Sequence, residues 1–191
     1  MKKQVLTPNI ATELKVLDTT KINIGLAPFA AHKSKEWGLK KFHELIQNIN
    51  KNKDVQFYLF GGGKSEVLQL KNLASNYNNV TNLAGKYNLR EEMHLISGLN
   101  AMICMDSGNM HIATLLGIPV ISIWGGTHPN IGFSALYQPD ENSILPTTED
   151  QKNCVYSVFG TEKPQLNKAP YFCIKKIDVQ TVIDRLYVVL L

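Results

Sequence analysis

AMICMDSGNMHIATLLGIPVISIW, residues 101–124, holds the repeating unit of the fold in a single stretch. Ala101–Met105 is a short, unbroken apolar run, which reads as a strand buried on both faces. Asp106, Ser107 and Gly108 then turn the chain into a short helix. Gly117 closes that helix and Pro119 prevents its continuation. Residues 120–124 form a second continuous apolar strand. Apolar strands that alternate with helices lie parallel in a sheet covered on both sides.

The same alternation extends in both directions. Ile22–Ala27 reads as a strand, and Leu39, Phe42, Leu45, Ile46 and Ile49 share one helix face. Residues 55–60 are an apolar strand ending in three glycines, 61–63, and Val67, Leu70, Ala74 and Tyr77 follow at helical spacing. Residues 80–83 form a short strand. Asn88, three residues before Glu91, marks the start of a helix that carries Leu89, Met93 and Ile96. Residues 125–176 are rich in turn formers and poorly periodic, so they read as irregular surface structure. Asp178 is positioned to cap a last helix bearing Val182, Ile183, Leu186 and Val189. Residues 1–20 lack periodicity and read as a linker or the remnant of an upstream domain, leaving 21–191 as one domain. The expected fold is α/β, a Rossmann-like parallel sheet with helices on both faces.

At 191 residues, 44% hydrophobic and 19% charged, the chain has the composition of an ordinary globular protein. Its net charge of +4 suits an anionic ligand such as a nucleotide diphosphate. The basic residues are scattered, and no stripe suited to nucleic acid appears. No signal peptide and no membrane-spanning run is legible. Cys104, Cys154 and Cys173 are an odd number without CxxC spacing, which favours neither zinc nor a disulfide framework; whether Cys154 and Cys173 come close in the fold is left open by the sequence. Cys104 reads as a buried small hydrophobe, and the compartment as reduced and cytoplasmic. The five histidines show no metal-ligand spacing, so no metal is expected.

Ligands of parallel sheets bind at the carboxyl ends of the strands. That rule selects residues 28–37, 61–66 and 106–111. In the last of these, Ser107 and Gly108 place backbone N–H groups at a helix N-terminus, which suits phosphate. Asp106 beside it suits sugar hydroxyls, and His111, one turn in, can donate to a phosphate oxygen. The plainer alternatives are that Ser107 is only a helix cap and His111 a satisfied core histidine. Gly63-Lys64-Ser65 imitates the end of a P-loop, but the required earlier glycine is Tyr58 here, so that reading fails. Ser107 lacks the G-x-S-x-G setting of a hydrolase nucleophile.

The longer stretch 105–132 resembles the signature of family 9 glycosyltransferases, the ADP-heptose–lipopolysaccharide heptosyltransferases. The shared positions are Asp106, Ser107, Gly108, His111, Gly117, Pro119, Gly125, Thr127 and Pro129. The resemblance implies the C-terminal, donor-binding half of a GT-B fold. It implies inverting, metal-independent transfer of a heptose or related sugar from an ADP-sugar to a lipopolysaccharide core or related glycan acceptor. No cofactor is implied.

APFAAHKSKEWGLKKFHELI, residues 27–46, resembles the family loop in which a lysine precedes an aromatic residue; this maps Lys35 and Trp37. Lys35 would neutralise the diphosphate, the plainer reading being a solvated lysine. Ala30 and Ala31 stand where the family often carries hydroxyls. The resemblance puts Glu66 near the donor ribose and Tyr87 beside adenine; Glu66 is as simply a first-turn acid favoured by the helix dipole. No catalytic residue is expected here, because the resemblance puts the acceptor and general base in a missing N-terminal domain. The expected partners are therefore the donor, a lipid-linked or oligosaccharide acceptor and that domain. The expected location is cytoplasmic, or peripheral at the inner face of the inner membrane. A sugar-nucleotide epimerase-like domain and a non-catalytic nucleotide-binding module are the alternatives.

Overall fold

The computed structural model describes residues 15–50, 54–152, 154, 157–160 and 172–191. Six strands form one sheet: β1 (Ile22–Ala27), β2 (Val55–Leu59), β3 (Val80–Asn82), β4 (Ala101–Met105), β5 (Val120–Ile123) and β6 (Ser143–Ile144). Their spatial order is β3-β2-β1-β4-β5-β6, and every neighbouring pair is parallel. The helices are α1 (Leu39–Ile49), α2 (Lys64–Ala74), α3 (Leu89–Ser97), α4 (Gly108–Leu115), α5 (Thr148–Gln151), α6 (Phe172–Lys176) and α7 (Val179–Leu190).

The pleat of the central strands sorts their side chains to two cores. Ile24, Leu26, Ile103, Met105, Ile121 and Ile123 pack on one face with Phe42, Leu45 and Ile46 of α1, Leu70 and Leu73 of α2, and Val182, Ile183 and Leu186 of α7. Met102, Cys104 and Val120 pack on the other face with Leu95 and Ile96 of α3 and Met110 and Ala113 of α4. This is the two-sided α/β architecture that the apolar runs predict. Burial pushes the Cys104 thiol far above its ordinary value, in keeping with an inert core residue.

α3 begins with the capping box that Asn88 and Glu91 predict: the Asn88 side chain accepts from the Glu91 N–H, and the Glu91 carboxylate accepts from the Asn88 N–H. Asp178 occupies the N-cap position of α7, but its side chain makes no capping hydrogen bond. Of the expected linker, residues 1–14 lie outside the described residues. Residues 15–20 lie against the domain, with Val16 and Leu17 packed on the α3/α4 core and the Asp18 N–H donating to the Tyr58 hydroxyl at 2.8 Å.

The reading of 125–176 as irregular needs correction where it is described. Ser143 and Ile144 add a sixth strand beside β5, and α5 and α6 form within the stretch. These pieces are too short to show periodicity; tertiary contacts order them. Asp150 of α5 accepts from Lys176 of α6 and from Thr147, and both hold its carboxyl below the usual range.

The cysteine reading also needs correction, because Cys154 and Cys173 form a disulfide across a separation of 19 residues. Their spacing carries no motif; the meeting of α5 and α6 brings them together. The link closes a loop whose constraint on the unfolded chain is worth about 3 kcal/mol. Reduction is therefore expected to lower the urea midpoint of unfolding, and Cys154→Ser/Cys173→Ser should match the reduced chain.

Candidate functional site

The sheet grows from β1 toward β3 on one side and from β4 toward β6 on the other, so β1 and β4 meet at a topological switch point. The loops leaving their carboxyl ends diverge there and open a crevice. The loop after β1 carries Lys35, the end of β4 carries Asp106, and the loop after β5 carries Thr127.

These three residues meet. The Lys35 ammonium lies 2.8 Å from Asp106 Oδ2, and the Thr127 hydroxyl donates to the same oxygen at 2.8 Å. The Lys35 and Asp106 side chains are only 12% and 7% exposed, so the ion pair sits largely out of water. Asp106 Oδ1 accepts no protein hydrogen bond among the described residues. Lys35 has three donors and needs only one for Asp106, leaving capacity for an anion.

Close backbone approach makes this meeting possible. Gly160 has φ +71°, and a Cβ on it would come within 2.6 Å of Lys35 Cε. Gly126 has φ +75°, and a Cβ there would lie 2.8 Å from that of Ser34. Ser34 in turn donates its hydroxyl to the Gly160 carbonyl. Trp37 anchors the other end of the Lys35 loop. Its indole N–H donates to the Ile177 carbonyl at 3.1 Å, and its ring meets Phe42 edge-on at 5.5 Å.

α4 starts immediately after Asp106. Ser107 is its N-cap with extended backbone, but its side chain makes no capping hydrogen bond, and its hydroxyl is buried without a partner. The plain capping role for Ser107 is therefore not filled. No side chain caps the first N–H groups of α4, which sit at the positive end of the helix dipole. Gly108 has open space where a side chain would be.

Beside this terminus lies a cleft of about 290 Å³. Phe29, Ala30, Ala31, Phe60, Glu66 and Glu92 line it together with Ser107 and Asn109. Glu66 folds back so that Oε2 accepts from the Gly62 N–H at 2.8 Å, which shapes the glycine turn.

Of the residues singled out in the sequence, Ser107 and Glu66 line this cleft; Asp106 and Gly108 flank Ser107 in the chain, and Lys35 is held beside them by its pair with Asp106. Tyr87 is partly buried against the α3/α4 core and His111 lies one turn along α4; neither lines this cleft. Sequence reasoning missed Glu92 and Asn109. The available signal for Glu92 was an acid one turn before the buried Leu95 and Ile96. Among the described residues no cluster of His, Cys, Asp and Glu is arranged to hold a metal ion, and no helix is long and apolar enough to cross a membrane.

Comparison with known proteins identifies the family and the fold. The sequence pattern of glycosyltransferase family 9 (heptosyltransferase) matches residues 4–160. The chain belongs to that family. It is similar to the lipopolysaccharide core heptosyltransferase OpsX of Haemophilus influenzae, 29% identical over 115 residues, covering 59% of this chain and 33% of that protein. The structure of E. coli ADP-heptose lps heptosyltransferase II has the same fold over 92% of this chain and 48% of its own, with a TM-score of 0.69 and 21% identity. E. coli heptosyltransferase WaaC with ADP matches over 91% of this chain and 46% of its own, with a TM-score of 0.65 and 18% identity. The chain therefore spans about a third of that curated relative and about half of these structures.

Removing one partner of a buried ion pair leaves an uncompensated charge and costs about 3–5 kcal/mol. Lys35→Met is expected to destabilise the chain by an amount near the lower end of that range. Lys35→Met/Asp106→Asn should be less destabilised than the sum of the two single variants, measured as a double-mutant cycle in urea.

Proposed function

We propose that residues 21–191 form the donor-binding half of an inverting, metal-independent glycosyltransferase that uses ADP-L-glycero-D-manno-heptose or a close relative. The acceptor would be a lipopolysaccharide core or related lipid-linked glycan. The observation that carries this reading is the uncapped start of α4 beside the Lys35–Asp106 pair: an anion site next to a carboxylate with a free oxygen. A diphosphate would take the α4 N–H groups, the Ser107 hydroxyl and the spare donors of Lys35, with His111 behind them. Asp106 Oδ1 would accept from sugar hydroxyls, and Glu66 would face the ribose. Tyr87, on the loop after β3, would lie toward the base.

In the transfer, an acceptor hydroxyl attacks the anomeric carbon from the face opposite the diphosphate. The carbon–oxygen bond to the diphosphate breaks, and negative charge grows on the leaving group. Fixed N–H dipoles and the Lys35 ammonium are aimed where that charge develops, the arrangement that lowers such barriers most. The hydroxyl proton would go to a base outside these residues, in a partner N-terminal domain. The proposed location is the cytoplasm, peripheral to the inner membrane, where the Cys154–Cys173 pair would meet reducing thiols.

Calorimetric titration with ADP, UDP and GDP tests the donor. ADP is expected to bind tightest; UDP or GDP binding ten times tighter, about 1.4 kcal/mol, would remove the ADP-sugar reading. The division of labour is tested separately. Incubated with ADP-heptose and a heptose-free core acceptor, this chain alone should give no product above background by mass spectrometry. Turnover would mean that the base lies in this half.

A further inference from the structure

We infer that Glu92 is a specificity-determining residue of the cleft, whose carboxylate takes hydrogen bonds from neutral N–H or O–H groups of the donor's nucleoside. The inference rests on the donor-binding reading and extends it to a residue outside the family signature.

Glu92 lies in the first turn of α3 and lines the cleft together with Phe29, Ala30, Ala31 and Glu66. It is not needed to start the helix, since the capping box uses Asn88 and Glu91. Its carboxylate receives no hydrogen bond or ion pair from the protein among the described residues. Removal from water alone pushes its pKa above the ordinary value. A partly buried carboxylate without a partner costs the free fold stability, because its lone pairs lose water and gain nothing. A ligand that brings donors into the cleft would supply what the fold does not.

The cleft also limits what that ligand can be. None of its lining residues is Lys, Arg or His, while Glu66 and Glu92 are both acidic. An ionised carboxylate only accepts hydrogen bonds, so a phosphate beside these acids would be repelled. Lys35 is not a lining residue; it pairs with Asp106, next to the open N–H groups at the start of α4. On the donor-binding reading the diphosphate would therefore take the start of α4 and Lys35, and the nucleoside would meet the cleft acids Glu66 and Glu92. Two parts of an adenosine carry neutral donors, the ribose hydroxyls and the exocyclic amine, and the experiment separates them.

The test compares the 191-residue chain with Glu92→Leu, Glu92→Gln and the surface control Glu44→Gln. Calorimetry would measure ADP, 2′-deoxy-ADP, IDP and inorganic pyrophosphate, and thermal unfolding would be followed without ligand. Glu92→Leu should weaken ADP about tenfold or more, as expected for a hydrogen bond to a charged group. Pyrophosphate affinity should stay within about twofold. Glu92→Gln should recover part of the loss, since its amide oxygen still accepts. Glu92→Leu should also raise the unfolding temperature of the free chain, the opposite of what a structural carboxylate would do.

Contact through the ribose would abolish the preference for ADP over 2′-deoxy-ADP in Glu92→Leu. Contact through the amine would abolish the preference for ADP over IDP. If the native chain binds ADP and both Glu92 variants bind it equally well, this inference fails while the donor reading stands. A parallel loss of pyrophosphate and ADP, or a lowered unfolding temperature in Glu92→Leu, would also overturn it. If the native chain binds no nucleotide, both readings fall.

Discussion

The Asp106 carboxylate at the end of β4 holds the site together. Its Oδ2 takes both the Lys35 ammonium and the Thr127 hydroxyl, and those groups come from the loops after β1 and β5. Three neighbouring strand ends are thereby joined at the point where the sheet changes direction. The pair is nearly out of water, so its attraction is stronger than that of a surface pair, and so is the cost of leaving either charge alone. That cost is the physical reason the loop after β1, with little regular structure of its own, keeps one arrangement. The carboxylate is only half used, and its second oxygen is available to a ligand.

Around this pair the chain gathers both hydrogen-bond donors and acidic acceptors. The start of α4, the buried Ser107 hydroxyl and Lys35 offer donors, whereas Glu66 and Glu92 of the adjoining cleft only accept. The nucleotide diphosphate sugar proposed as donor would bring its charge to the first set and the neutral donors of its nucleoside to the second. The glycines at 126 and 160 let backbone approach the Ser34–Lys35 segment closely. A side chain at either position would push that segment away from Asp106.

The region between β6 and α7 supports the site from behind. Ile174 of α6 packs where a Cβ on Gly125 would come within 2.4 Å, and the Ile177 carbonyl receives the Trp37 indole N–H. The disulfide between Cys154 and Cys173 ties this support to the chain that leads to Gly160. The loop bearing Lys35 is thus braced by residues more than a hundred positions downstream in sequence.

By itself the sequence determined the sheet and the loops that matter. Continuous apolar strands, helical faces, the Asn88–Glu91 cap and the Gly117–Pro119 stop are local patterns, each set by burial or backbone geometry within a few residues. With the strand-end rule, they single out the segments after β1, β2 and β4. Tertiary structure alone decided how those segments meet. Lys35 and Asp106 read as two independent contacts, yet they form one pair, because the distance between them depends on β1 and β4 being neighbours. The plainer reading of Ser107 is a helix cap, yet its hydroxyl makes no capping bond. The spacing of Cys154 and Cys173 favours no disulfide framework, yet they pair, and Glu92 is an unremarked acid until α3 presents it to the cleft. β6, α5 and α6 were illegible because so few residues carry no period, and only contacts from distant parts of the chain order them. Periodicity reports what each residue's own neighbours in sequence require; pairing and burial in the crevice depend on residues tens of positions away.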